Sequence, residues 1–295
     1  MKLQKYIDKA EVLIEALPYI TKFNRKIIVI KYGGSAMLDE ELKRKVIEDI
    51  VLLKMVGFKP IIVHGGGKEI SKWVAKSGME PKFIEGLRVT DEATIELVEM
   101  VLGKVNNELV RLVHSHGVKA LGVSGMDGDL LQVDKKIIDA GDIGYVGDVK
   151  KVNPQVIYDL LDDDYLPIVY PVGIGDDGKP YNINADEAAG AIAKAVGAEK
   201  LAFLTDTEGV YMDIDDPESR ISQLGVNEAM KLIDEGVIAG GMIPKIMNCV
   251  EAVNGGVNRV HILDGRLPHS VLLEIFTDQG IGTMILNDSE VDKNE

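Results

Sequence analysis

Lys26–Met37 reads KIIVIKYGGSAM. The four branched residues Ile27–Ile30 form a run too short for a helix. Being apolar at every position, they predict a strand buried on both faces, as in a parallel sheet. Lys31 ends the run, and Gly33 and Gly34 follow. The carboxyl ends of strands in an open parallel sheet deliver ligand-binding residues, and glycines there let backbone N–H groups come close to a ligand. An ordinary surface lysine opening a turn fits the same stretch, so the rest of the chain must decide between the two.

Working outward, apolar runs at 61–63 (IIV), 120–123 (ALGV), 166–172 (LPIVYPV), 201–204 (LAFL) and 259–263 (RVHIL) read as further strands. Helical patterns lie between them, with Asp39, Asp91 and Asn153 as N-caps and Gly57, Gly78, Gly117 and Gly197 as stops. Such alternation predicts an α/β fold, a largely parallel sheet covered by helices on both faces. Residues 128–150 break the pattern with short β-like runs between glycines and aspartates, which suggests hairpins projecting from the sheet. Ahead of the first strand, Leu3, Ile7, Ala10, Ile14 and Leu17 recur at helical spacing, and Pro18 marks a stop or kink. The tail NDSEVDKNE is expected to fray.

Composition bounds the function. The chain has 295 residues, 46% apolar and 27% charged, enough for one large domain or two lobes. A formal charge of −15 and a pI near 4.8 disfavour nucleic acid and anionic membranes as partners. Aromatic residues at 5% leave few stacking platforms for single strands. The lone Cys249 permits no internal disulfide, which fits a reducing cytoplasm, and its helical context suits core packing. The N-terminus carries acids throughout and is not expected to be a signal peptide. No zinc pattern is present among the five histidines.

No GxxxxGK[ST] occurs, so a nucleotide site of the P-loop kind is absent. The GxGxxG formed by Gly173, Gly175 and Gly178 holds two aspartates where a pyrophosphate would lie, and Pro180 follows, so it reads as a turn. Four other stretches share one layout. IIVIKYGG sets Lys31, Gly33 and Gly34 after a strand. IIVHGGGKEI sets Gly65, Gly66 and Gly67 between strand and helix, a cradle for an anion. YNINADEAAG sets Asn182, Asn184 and Asp186 at a helix start. GGMIPK sets Gly240 and Gly241 before a helix and Lys245 in its first turns. Each alone reads equally as a cap, a turn or a solvated lysine; the four together do not. In EGLRVTDE, Arg88 beside a glycine turn suits a bidentate clamp on a carboxylate, or equally a surface ion pair.

In this order the motifs IKYGGSAM, VHGGG, GLRVT, NINAD and GGMIPK resemble the amino acid kinase family, and the resemblance covers residues 25–287. It implies a three-layer αβα sandwich around a largely parallel sheet, with two lobes: residues 25–175 holding the amino acid and forming a dimer, and residues 176–295 holding ATP. The implied activity is phosphorylation of the side-chain carboxylate of N-acetyl-L-glutamate in arginine biosynthesis. By resemblance, Lys31 and Lys245 neutralise the phosphoryl group in flight and Asp186 orients both. Gly66, Gly67, Arg88 and Asn182 hold the acid. Gly33, Gly34, Thr205, Asp206, Gly209, Val210, Tyr211, Gly240 and Gly241 lie on the nucleotide side. Magnesium rides with ATP, so no protein residue is assigned as a metal ligand.

Two alternatives stay open, a kinase for a related acid such as N-acetyl-aminoadipate and a catalytically silent amino-acid or nucleotide sensor. A dinucleotide oxidoreductase is disfavoured by the poor GxGxxG. Members of the family with an extra N-terminal helix resemble arginine-inhibited hexamers, trimers of dimers. Residues 1–24 supply such an extension, whose stripe either docks on the chain's own core or meets a partner subunit. Glu274 is then the candidate partner for arginine's guanidinium.

Overall fold

A computed structural model describes residues 2–277 and 280–291. Ile27–Tyr32 is strand β1, and Ile28, Val29 and Ile30 are fully buried. Val29 faces one core, with Ile61, Val63, Leu201 and Phe203 of neighbouring strands; Ile28 and Ile30 face another, with Ile62, Ala202 and Leu204. Period-two alternation therefore feeds two apolar layers from one run, the reason a sheet buried on both faces shows no polar alternation.

Two helices precede it, α1 (Lys2–Glu15) and α2 (Leu17–Phe23), with Pro18 in the first turn of the second. After β1 come α3 (Glu40–Met55), β2 (Lys59–His64), α4 (Gly67–Lys76), the hairpin β3 (Phe83–Ile84) and β4 (Leu87–Arg88), α5 (Glu92–Ser115) and β5 (Ala120–Ser124). Asp39 and Asp91 cap α3 and α5 with their carboxylates. Next are β6 (Leu131–Lys135), β7 (Gly147–Val152), α6 (Gln155–Asp162), β8 (Leu166–Tyr170), β9 (Val172–Gly175), β10 (Pro180–Asn182) and α7 (Ala185–Ala195). The remainder is β11 (Lys200–Thr205), β12 (Val210–Tyr211), β13 (Arg220–Ile221), β14 (Gln223–Gly225), α8 (Val226–Asp234), α9 (Met242–Asn254), β15 (Arg259–Asp264), α10 (Ser270–Phe276), β16 (Thr283–Leu286) and α11 (Asp288–Val291).

Eight strands form the central sheet in the order β14-β16-β15-β11-β1-β2-β8-β5. Among the described residues, only the β15–β16 pairing of this sheet is antiparallel. Helices α6, α7, α8 and α9 cover one face, and α3, α5 and α10 the other. The carboxyl ends of β1, β2 and β11 lie side by side, which brings Lys31, His64 and Thr205 to one rim.

Two expectations change. The run 166–172 is two strands, because Pro171 ends β8 and sends β9 into a second sheet of order β10-β9-β6-β7. The hairpin expected over residues 128–150 is present: β6 and β7 pair antiparallel, and they belong to that second sheet rather than to the central one. The tail folds as far as Val291, with Asp288 Oδ1 accepting from the Asn227 N–H, while the end of NDSEVDKNE lies outside the described residues. The GxGxxG is the turn of the β9–β10 hairpin, as its aspartates predict. Cys249 is buried in α9, and burial pushes its thiol pKa up, so it is an unreactive core residue. No helix among the described residues is long and apolar enough to cross a membrane.

Leu3 (72% exposed) and Ile14 (67%) in α1 and Leu17 (53%) at the start of α2 leave the stripe in solvent, so it does not dock on the chain's own core. α2 does pack: Phe23 is buried against Phe58, and Tyr19 meets Phe276 of α10 edge to face.

Candidate active site

Asp186 sits in the first turn of α7, where Asn184 caps the helix by accepting from the N–H groups of Asp186 and Glu187. A carboxylate is favoured there by the helix dipole. Lys31 Nζ from the end of β1 lies 2.9 Å from Asp186 Oδ1, and Lys245 Nζ from α9 lies 3.3 Å from Oδ2. The three residues are far apart in sequence, and all are largely shielded from solvent. Burial alone pushes the Asp186 carboxyl up, but the two ammonium groups outweigh it and hold its pKa below the usual carboxylate value. One anion thus orients two cations.

The glycines around them are of two kinds. At Gly33 a Cβ would come within 2.6 Å of Lys31 Nζ, so any side chain would push the lysine aside. Gly34 has φ of +75°, a left-handed conformation that favours glycine. At Gly66 a Cβ would strike Leu102 Cδ2 at 2.6 Å, whereas Gly67 and Gly241 have open space.

On the far side of Gly66 and Gly67 lies a cavity of about 160 Å³, walled by these glycines, Ile70, Arg88, Leu102, Asn182 and their neighbours. Arg88 enters from the β3–β4 hairpin, stacked over the Phe83 ring at 4.7 Å. Its Nη2 donates to Gly67 O and Ser71 Oγ, each at 2.8 Å. Its Nη1 is buried and makes no hydrogen bond among the described residues. A buried guanidinium nitrogen without a partner is costly, and a carboxylate placed in the cavity would supply what it lacks. Asn182 Nδ2 reaches Thr90 Oγ1 at 3.5 Å, and that hydroxyl donates to Arg88 O.

On the other side, Thr205 ends β11 and Asp206 follows, its Oδ1 accepting from the Ser35 N–H at 2.7 Å. Gly209 has φ of +143°. Val210 is buried and its N–H donates to Thr283 Oγ1, while the Tyr211 hydroxyl donates to Glu208. Gly240 (φ +56°) and Gly241 lead into α9, which carries Lys245. Glu274 lies apart from all of these, on α10, where its carboxylate accepts from buried His261 and from the Ile281 N–H.

Sequence reasoning missed His64 of VHGGG. It is fully buried, and burial lowers its pKa to about 4, so the ring is neutral at pH 7. Asn106 Nδ2 donates to Nε2 at 3.1 Å, which leaves the proton on Nδ1, donated to Gly65 O at 2.8 Å. The histidine is therefore a neutral strut under the glycine cradle. Ser71, Thr90 and Ser35 were missed as well, although Ser35 stands inside IKYGGSAM and Thr90 ends GLRVT.

Two lysines fixed on one carboxylate, glycine turns at a sheet rim and a cavity with a waiting arginine define a phosphotransferase acting on a carboxylate-bearing substrate. Residues 26–264 match the profile of the amino acid kinase family, and the chain belongs to that family. Its curated relatives include an acetylglutamate kinase of Caldanaerobacter subterraneus subsp. tengcongensis, 58% identical over 280 residues, which are 95% of this chain and 93% of that protein. Another, from Thermoanaerobacter pseudethanolicus, is 57% identical over 97% of this chain and 96% of its own length. Among solved structures, an N-acetylglutamate synthase from Neisseria gonorrhoeae, complexed with coenzyme A and N-acetyl-glutamate, superposes with a TM-score of 0.83 at 28% identity. The match spans 95% of this chain and 63% of that one. A carbamate kinase from Giardia lamblia bound to AMP-PNP shares the fold, with a TM-score of 0.67 at 17% identity, covering 90% of this chain and 99% of that one.

Proposed function

We propose that the chain transfers the γ-phosphoryl group of ATP to the side-chain carboxylate of N-acetyl-L-glutamate, giving N-acetyl-L-glutamyl 5-phosphate and ADP, a step of arginine biosynthesis. The observation that carries this reading is the Lys31–Asp186–Lys245 bridge beside the cavity where Arg88 Nη1 has no hydrogen-bond partner among the described residues. Arg88 and Asn182 hold the acid there, with the N–H groups of Gly66 and Gly67. The nucleotide lies along Gly33, Gly34, Thr205, Asp206, Gly209, Val210, Tyr211, Gly240 and Gly241, so residues 25–175 mainly serve the acid and residues 176–295 mainly serve ATP, with Gly33 and Gly34 reaching the nucleotide from the first lobe and Asn182 reaching the acid from the second.

A glutamate-type carboxyl has a pKa of about 4.3 and is already a nucleophile at neutral pH. No general base is required. One carboxylate oxygen bonds to phosphorus while the bond to the β–γ bridging oxygen breaks, and ADP carries away that electron pair. Lys31 and Lys245 neutralise charge on the phosphoryl oxygens between two anions, the main electrostatic demand of the step. Magnesium arrives on the nucleotide's phosphates, as a hard ion that keeps oxygen ligands. Asp186, tied to two lysines, is not free to serve as a ligand for it. Charge and cysteine usage fit a cytoplasmic enzyme.

Regulation follows from the N-terminus. The exposed stripe of α1 suits a partner subunit and a hexamer built as a trimer of dimers. Arginine then sits between the N-terminal helices and α10, with Glu274 facing its guanidinium. The packing of Tyr19 on Phe276 supports that placement. ADP release measured side by side with N-acetylglutamate, glutamate, aspartate and N-acetyl-aminoadipate tests the substrate; preference for any other acid overturns it. Deleting residues 1–24 is expected to give an active dimer indifferent to arginine. Light scattering showing the full-length chain as a dimer, with unchanged rate in arginine, would sink the regulatory reading.

A further inference from the structure

Asp206 follows β11, the strand beside β1 in the central sheet. Its Oδ1 accepts two hydrogen bonds from Ser35, one from the N–H at 2.7 Å and one from the hydroxyl at 2.5 Å. Lys68 Nζ, from the first turn of α4, lies 3.6 Å from Oδ2. Gly34 passes against the same carboxylate: a Cβ there would come within 2.5 Å of Oδ1. One side chain from the second half of the sheet therefore holds the Gly33–Gly34 turn and touches the helix that opens at Gly67. A carboxylate beside a polyphosphate costs nucleotide affinity through like-charge repulsion, so its presence at this rim needs a reason other than binding ATP. The Ser35 hydrogen bonds and the Lys68 charge outweigh its partial burial and keep Asp206 ionised.

We propose that Asp206 is a positioning residue for phosphoryl transfer: it engages the Ser35 N–H and hydroxyl, and so fixes the turn that aims the Gly33 and Gly34 N–H groups at the phosphoryl oxygens. Asp206 acts through Ser35 and couples the glycine turn of the first half of the sheet to the nucleotide side. The proposal rests on the phosphotransferase reading above and adds a role to a residue assigned there only to the nucleotide.

The test uses the full-length chain and the variants Asp206→Ala, Asp206→Asn, Ser35→Ala and the Ser35→Ala/Asp206→Ala double. Asp206→Ala is expected to lower kcat by about 10- to 100-fold, the size of hydrogen bonds lost to a charged group, with KM for acetylglutamate held within about twofold. AMP-PNP affinity by calorimetry stays level or rises, since an anion is removed. Asp206→Asn recovers part of kcat, because its amide oxygen still accepts from Ser35. The double variant is no worse than Asp206→Ala, as coupled residues are non-additive. Independently of turnover, amide exchange at Ser35 speeds up by at least about tenfold in Asp206→Ala, while Ile30 in β1 keeps its protection. Unchanged Ser35 exchange, additive losses, or a fall in AMP-PNP affinity with kcat retained would overturn the proposal. A wild type that phosphorylates none of the acids defeats the kinase reading instead, and the exchange measurement still decides whether Asp206 fixes the turn.

Discussion

Replacing Asp186 with Asn keeps the shape of the side chain and removes one charge. That carboxylate lies 2.9 Å from Lys31 Nζ and 3.3 Å from Lys245 Nζ, and the three side chains are 15%, 12% and 17% exposed. At an effective dielectric near 20, each contact supplies about 5 kcal/mol of attraction. Desolvation of the charges consumes most of that, and breaking such a buried network by removing one partner costs about 3–5 kcal/mol. For a chain of this size the loss corresponds to a fall in Tm of roughly 5–8 °C. The two lysines, left to repel one another, lose their aim, and kcat should drop by about 10²–10³-fold, as when one oxyanion donor is removed. Nucleotide affinity should move the other way, level or tighter at low salt, because two cations then lack a counter-charge. The pH dependence has a definite sign. Lysine neighbours hold the folded-state pKa of Asp186 below its unfolded value of about 3.9. Its contribution is therefore present in full above that pH and is lost as pH falls through the folded value. Melting curves of wild type and variant should converge toward acid. Steady-state kinetics, calorimetry with AMP-PNP and thermal melts together decide the matter. A variant that keeps kcat within about tenfold of wild type, or loses nucleotide binding outright, would refute the role given to Asp186.

Other outcomes follow from the same geometry. Lys31→Met and Lys245→Met should each cost about 2.7–4 kcal/mol of transition-state stabilisation, read as kcat loss with little change in KM for acetylglutamate; near-normal turnover in both sinks the mechanism. Arg88→Ala removes a charged clamp worth about 1.5–3 kcal/mol, so the acetylglutamate constant rises roughly 10- to 150-fold while calorimetry shows ATP affinity unchanged. His64 is held at a pKa of about 4 by burial, below its unfolded value of 6.5. Its neutral form thus favours folding fully above pH 6.5 and loses that advantage as pH falls toward 4. The Tm gap between wild type and His64→Gln should shrink from pH 7 to pH 4.5; a gap that widens would contradict the neutral-strut assignment.

The strands could be read from the sequence because a sheet buried on both faces demands unbroken apolar runs, and IIVI, IIV and LAFL satisfy that demand locally. Helix stops at Gly57, Gly78, Gly117 and Gly197 were equally legible, since all four adopt the positive φ that other residues resist. The shared layout at strand ends and helix starts singled out the lysines, the glycines and Asp186, and the family resemblance supplied their roles. Only the tertiary structure decided that Lys31, Asp186 and Lys245 touch, because three sites spread from the first strand to the ninth helix meet only when β1 lies between β2 and β11. Pro171 looked like the interior of one strand, and nothing local said that the chain would change sheets there. His64 and Ser35 stayed invisible for the same reason. Their partners Asn106 and Asp206 are 42 and 171 positions away, and a hydrogen bond carries no signature in the sequence until folding closes that distance.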